Sequence, residues 1–381
     1  MRRGAWRQRL SKWRRKERPC VPKSILVINL MHIGDLLLVT PILRTLRTQF
    51  PQAHIALLAD QKLQDLVKNN QNIDELITID KKGQDDGLFP YLSFAWKLRQ
   101  RRFEWVINLH QNERASFLAA FSGAKTIVGY ATAVLRHCFT KYMLNRKAEK
   151  HQIESHFDVL RELLSVTERD DQGLEIWLDA DAKEEAAAIW QREVRHERPV
   201  VGLNIGASWP TKRWRHEHFA KLADRLIERG YGIAFFGGPM DEEIVAETRA
   251  LMKPDTQEAV SVFTGKLSLM QLAAVLPFCR VLVTNDSGPM HVAVAMGVPL
   301  VTMFGASPVP GFYPYSNTSV LIQSSEPCHP CGSHHCEHHS CMWKISVEQV
   351  EKETLRLLEA SPEELASDRA GLGPHECRII R

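Results

Sequence analysis

The sequence predicts an α/β protein built of two successive doubly wound units. Three observations predict it. Short, near-continuous apolar runs recur along the 381 residues, as expected of parallel strands buried on both faces. Segments with helical spacing separate them, which implies right-handed crossovers. After a charged stretch at 150–198 the alternation restarts at Pro199, so a second unit of similar size follows the first. The expected architecture is two Rossmann-like domains facing across a cleft.

Residues 24–30 (SILVINL) read as the first strand, and 36–50 as a helical segment that Pro41 kinks or restarts. Strands follow at 53–58, 75–79 and 105–109, with helices at 61–68, 90–101 and 115–121; the run 126–128 continues the pattern. The connection holds a helix at 154–165, a short strand at 175–178 and a helix at 182–194. In the second unit, strands are expected at 199–204, 232–236, 259–263, 280–283 and 300–304. Helices are expected at 216–229, 242–251, 269–276 and 291–296. A last amphipathic helix spans 346–358, and 361–381 reads as a poorly ordered tail.

Composition bounds the class. An apolar fraction of 44% supports a sizeable core. No apolar run reaches the roughly 20 residues of a spanning helix, and no apolar h-region follows the basic start. The expectation is a cytosolic protein. The net charge of +4 is unevenly spread: residues 1–19 carry nine Lys or Arg against Glu17 alone. Trp6, Leu10 and Trp13 would share one helical face there, so the segment reads either as an interfacial helix on an anionic membrane or as a solvated tail. Nucleic acid is disfavoured, because no aromatic-lined binding module follows.

The segment TNDSGPMH, Thr284 to His291, is the most informative. It joins a buried strand to a helix through a tight turn, with Ser287 as a candidate cap, Gly288 for close backbone approach and Pro289 in the first helical turn. Free N–H groups and the positive end of the helix dipole make a phosphate seat there, at the strand end where open α/β sheets bind ligands; the alternative is an ordinary capped helix. Met290 completes the loop. His291 either points back to the phosphate or packs in the first turn. A carboxylate beside a diphosphate would repel it, so Asp286 is expected to fix the turn by hydrogen bonding.

His32-Ile33-Gly34-Asp35 ends the first strand. Gly34 permits a tight turn or close approach. Asp35 either takes a proton from an attacking sugar hydroxyl or caps the next helix. In the segment 204–214, Gly206, Ala207 and Ser208 would let the backbone approach a phosphate that Lys212 and Arg213 neutralise, with Trp209 and Trp214 as candidate cleft walls; the alternative is a basic surface loop. After Gly237-Gly238, Asp241 or Glu242 can accept from ribose hydroxyls or favour a helix start. Asp179-Ala180-Asp181 matches a metal-dependent Asp-x-Asp pattern but precedes a helix and reads as a cap, so metal-independent chemistry is expected. Cys328, Cys331, Cys336 and Cys341, with five His among or beside them, are a candidate structural zinc site. Reduced unligated thiols and redox chemistry are the alternatives.

Taken together, HIGDLLLVTPILRTL, GASWPTKRW, FFGG, TGKLSL and TNDSGPMHVAVAMGVPLVTMFG resemble the ADP-heptose:lipopolysaccharide heptosyltransferases, glycosyltransferase family 9, in order from about residue 24 to about residue 350. The His-Ile-Gly-Asp form is most similar to the heptosyltransferase III branch, and the Cys-rich segment to some heptosyltransferase II relatives. The resemblance implies a GT-B fold and inverting, metal-independent transfer of heptose from ADP-heptose to the lipopolysaccharide inner core. It also implies a place at the cytoplasmic side of a Gram-negative inner membrane. The expected organisation is a basic tail at 1–22, an acceptor-binding domain at 23–175 and a nucleotide-sugar domain at 176–345. A helix at 346–360 would pack back on the N-terminal domain, and a tail at 361–381 would follow.

By motif position Asp35 matches the base, Lys212 the phosphate-binding lysine, and 286–291 the diphosphate loop. His32, Arg114, Arg136 and Lys141 are candidates for acidic groups on the acceptor. Two rivals stay open. A sugar-nucleotide epimerase, or a transferase using another nucleotide sugar, would keep the fold. A non-catalytic sugar-nucleotide- or zinc-binding scaffold would drop the chemistry.

Overall fold

The computed structural model describes residues 21–368 and 372–381. The membrane reading of residues 1–19 lies outside the described residues. The first sheet contains β1 (Ser24–Ile28), β2 (His54–Asp60), β3 (Glu75–Ile79), β4 (Trp105–Asn108), β5 (Thr126–Tyr130) and β6 (Lys141–Met143). Its order is β3-β2-β1-β4-β5-β6, with every pairing parallel. The second contains β7 (Val200–Asn204), β8 (Gly232–Phe236), β9 (Val260–Val262), β10 (Val281–Asn285), β11 (Leu300–Phe304), β12 (Ser319–Gln323) and β13 (Arg378–Ile380). Its order is β13-β12-β11-β10-β7-β8-β9, also parallel. Both are doubly wound α/β sheets, and each reverses strand order beside its first strand, at β1/β4 and β7/β10. That reversal opens a crevice at the carboxyl ends of the strands.

Helices cover both faces, as all-parallel sheets require. They are α1 (Ile33–Leu37), α2 (Thr40–Gln49), α3 (Leu88–Gln100), α4 (Glu113–Phe121) and α5 (Gln152–Asp158) before the connection, then α6 (Ala180–Glu193) and α7 (His216–Glu228). After these come α8 (Glu242–Ala250), α9 (Leu269–Val275), α10 (Gly288–Ala295), α11 (Val309–Phe312), α12 (Ser340–Trp343) and α13 (Val347–Glu359). Pro41 restarts the chain as a second helix rather than kinking one, since it occupies the first turn of α2. The two units meet where α1 packs against α10. Leu36 and Leu37 share one buried cluster with Met290, Val292 and Ala293.

Several expectations are corrected. Residues 61–66 form a short 3-10 turn capped by Asp60, not a helix to 68. The stretch 175–178 is no strand, because Glu175 is bound by the side chains of Arg44, Asn70 and Asn72 and its backbone follows that anchorage rather than a ladder. A further helix, α14 (Pro362–Asp368), follows α13, and α13 itself does not return to the N-terminal unit. α13 packs on α7, β10 and β11, burying Val347 and Val350, while Arg225 and Arg229 hold Glu348 and Glu351. Nor is 361–381 simply a tail: β13 extends the second sheet beside β12. His375 there stacks on Tyr315 and contacts the Asp171 carbonyl.

Candidate active site

At the end of β1, the Asn29 side chain donates to the Asp35 carbonyl at 3.0 Å and accepts from the Met31 N–H at 3.0 Å, which folds the turn into α1. His32 is the N-cap and caps nothing with its side chain. Asp35 lies in the first turn, partly buried. Burial raises its pKa above the usual carboxylate value, opposed by nearby His32 and Lys147 and by the backbone N–H groups of His32 and Asp35. The carboxylate thus supports the helix start from inside the first turn, where His32 and not Asp35 is the N-cap. Gly34 serves close approach: a Cβ on it would lie 2.5 Å from Cδ2 of His291 in α10.

His291 is 4% exposed and its Nδ1 has no partner. Burial pushes its pKa down to about 4, so it is neutral at physiological pH. Asp286 accepts from the Ser307 hydroxyl and ion-pairs with Lys212 Nζ at 2.7 Å. The carboxylate thus holds a cation and a hydroxyl instead of fixing the turn by hydrogen bonding, and the pairing largely compensates its charge. Ser287 sits at the N-cap of α10 but does not cap it; its hydroxyl meets Thr284 and Asn204 instead. Pro289 lies in the first turn, and Gly288 packs against Ile33 of α1, its Cβ position 3.0 Å from that side chain. Met290 is core.

The loop after β7 is held from an unexpected side. Lys212 Nζ lies 4.5 Å from the Trp209 ring centroid, and the His334 ring lies against Trp209, tilted by 32° with centroids 3.4 Å apart. Thr211 donates to the Ser333 carbonyl at 2.7 Å, and His339 Nε2 meets the Thr211 carbonyl at 3.0 Å. The Cys-rich segment therefore buttresses the lysine loop. Nothing in the separate motifs announced that link. Trp214 is not a cleft wall: it is 1% exposed, and its indole N–H donates to the Ile345 carbonyl under α13. Arg213 spends its donors on the Ala207 carbonyl and lies 3.9 Å from Asp241, while Ser208 is exposed. Asp241 accepts from the Gly238 N–H and reaches over Gly206; Glu242 begins α8.

Of the acceptor candidates, His32 is exposed at the mouth and Arg136 sits half-buried in a turn. Arg114 is engaged with Asp86, the Lys81 carbonyl and the Tyr91 ring, and Lys141 with the Leu163 carbonyl. Lys147 and His110 went unnoticed. His110 follows β4 with an unpartnered Nδ1, and burial lowers its pKa to about 4. Strand-end position would have found His110; no motif marks Lys147.

Asp179 caps α6 by accepting from the Ala182 N–H at 2.8 Å, as expected. Among the described residues no group of three or more His, Cys, Asp or Glu is arranged to hold a metal ion. Cys328 and Cys331 are exposed, Cys336 turns to His338 and the His339 N–H, and Cys341 turns inward beneath Gly305. Burial pushes the Cys341 thiol up to about 11, with the other three thiols adding to the shift.

The sequence pattern of Glycosyltransferase family 9 (heptosyltransferase) matches residues 91–341. Lipopolysaccharide heptosyltransferase 2 of Escherichia coli K12 is 28% identical over 296 residues, 76% of this chain and 85% of the relative. Lipopolysaccharide heptosyltransferase 3 of Escherichia coli is 25% identical over 306 residues, 77% and 86%. The crystal structure of a family 9 glycosyl transferase from Veillonella parvula is 36% identical with a TM-score of 0.79, covering 89% of this chain and 98% of that one.

Proposed function

The chain belongs to glycosyltransferase family 9, and on that premise we propose that it moves a heptose from ADP-heptose to a hydroxyl of the lipopolysaccharide inner core, with inversion at the anomeric carbon. The observation that supports the reading is the packing of α1 on α10, in which Gly34, the neighbour of Asp35, meets His291 and Ile33 meets Gly288.

Asp35 takes the proton of the acceptor hydroxyl as that oxygen attacks the anomeric carbon. Its partial burial raises its proton affinity, which suits a general base. ADP leaves from the opposite side, so one displacement inverts the centre. Lys212 and the uncapped first turn of α10 receive the charge growing on the diphosphate. Asp286 orients Lys212 and is not free to bind a divalent cation, which supports metal-independent chemistry; chelator should leave the rate unchanged. His32 and Arg136, with Lys147, face the acceptor side. Arg213 and Asp241 hold the loop that meets the nucleotide, and Ser208 lies exposed beside it. The donor and acceptor require a position at the cytoplasmic face of the inner membrane of a Gram-negative cell, and among the described residues no helix is long and apolar enough to cross it.

The test is ADP release from ADP-heptose with and without purified inner-core acceptor, with the product's anomeric configuration read by NMR. Acceptor-dependent release with inversion is expected. Turnover of donor without acceptor would favour an epimerase, and no release with any core acceptor would reject the reading.

A further inference from the structure

α3 presents an apolar stripe to solvent. Leu88 is 67% exposed, Phe89 82%, Leu92 39% and Trp96 57%. At about 100° per residue these four fall within an arc of roughly 100° on one side of the helix, while Leu98 faces away and Ala95 borders the arc, both buried. Exposed apolar residues scattered singly need no explanation, but four on one helical face form a contiguous patch. Charge says what covers it. Where α3 ends, Trp96 lines a cleft of about 620 Å³ together with Arg99, Arg102 and Lys125, and Lys97 is exposed beside it.

Among the described residues three of the acids around α3 are matched by cations, while Asp80 and Asp85 in the turn before it accept backbone N–H groups and Glu113 has no ion pair. Asp86 pairs with Arg114 at 2.7 Å, Glu75 with Arg101, and Glu104 accepts from the Lys23 N–H at 2.8 Å with Lys125 at 3.5 Å. Arg102 and Lys97 have no ion pair among the described residues. An apolar stripe with a tryptophan beside a group of cations complements an anionic lipid surface: rings and aliphatic chains enter the headgroup–acyl boundary while the cations meet lipid phosphates.

We propose that the outer face of α3, with the Arg99–Arg102–Lys125 cleft at its end, docks this protein on an anionic membrane. The placement also matters for the site. Lys81, just before α3, reaches the Leu30 carbonyl at 2.6 Å and Asp60 at 2.8 Å, at the carboxyl ends of β1 and β2. The stripe therefore starts at the rim of the cleft. A chain seated on α3 holds that rim beside the bilayer, a consequence that rests on the reading of a lipid-borne acceptor; the binding itself does not.

The experiment is sedimentation of the full chain with vesicles of phosphatidylethanolamine and phosphatidylglycerol, and with neutral phosphatidylcholine vesicles. The variants are the pair Phe89→Glu, Trp96→Glu and the pair Arg102→Ser, Lys125→Ser. Residues 1–19 are common to all, so differences are read against a constant background. The apolar pair should lower partitioning onto anionic vesicles by about tenfold or more, and the basic pair by about fivefold per cation. ADP release with lipid-free core oligosaccharide should be unchanged in both. Unchanged partitioning, or equal binding of the native chain to neutral vesicles, overturns the proposal. So does a native dimer that the apolar pair converts to monomers while vesicle binding persists. Loss of vesicle binding in a protein that turns over no core acceptor would leave the docking face standing and remove the transferase reading instead.

Discussion

Gly34 and Asp35 show how tightly single residues govern the site. A methyl group on Gly34 would collide with the imidazole of His291, a buried ring. Gly34→Ala should therefore separate α1 from α10, lowering kcat/KM by about 100-fold, the size expected of a misplacement near 1 Å, and lowering Tm. Adding His291→Ala should restore part of the Tm, which thermal denaturation of the single and double variants would show. Asp35→Asn should behave oppositely on stability. A carboxyl whose folded pKa is raised binds its proton more tightly when folded, so its ionised form costs stability at neutral pH; the amide removes that cost, and Tm should not fall although activity does. The sequence made Asp35, Lys212 and the 286–291 loop legible because each sits at a strand end in a recognisable turn. Partners were not legible. Which side chain Asp286 holds, or which ring Gly34 admits, depends on contacts between residues far apart in sequence.

Among the elements, strands in the middle of each sheet were plain in the sequence, since burial on both faces leaves near-continuous apolar runs. Edge elements were not. β6 and β13 are three residues each, and β13 lies beyond a charged helical stretch that looked like a tail. For α13 the amphipathic pattern says that one face is buried, not against what; the resemblance implies the N-terminal unit, and the face lies on α7, β10 and β11. Its true position explains Trp214, whose indole links the lysine loop to the chain just before α13. Trp214→Ala should cost about 3–5 kcal/mol, measured by denaturant unfolding. Trp209→Ala, removing a partly exposed ring under Lys212, should leave stability nearly unchanged and raise KM for the donor.

For the whole molecule, buried histidines set the acid limit. His110 and His291 are held down to about 4, His151 and His156 to about 3, all chiefly by burial. His156 Nδ1 and the Tyr130 hydroxyl lie 2.6 Å apart. Each is neutral when folded, while its unfolded counterpart takes a proton near pH 6.5. Stability contributed by these groups is thus present above about pH 6.5 and is lost as pH falls toward 4. The slope is at most about 1.4 kcal/mol per pH unit for each histidine. Tm should drop between pH 7 and pH 5, and less steeply in His156→Gln.

The claim that joins these scales is that two facing units bring a base and a diphosphate seat onto one donor. Acceptor-dependent ADP release from ADP-heptose by Asp35→Asn, beside the native chain, tests it most directly. In the variant kcat should fall by about 10²–10⁴-fold with the donor still bound. A variant that turns over at the native rate would reduce Asp35 to the start of a helix and contradict the account.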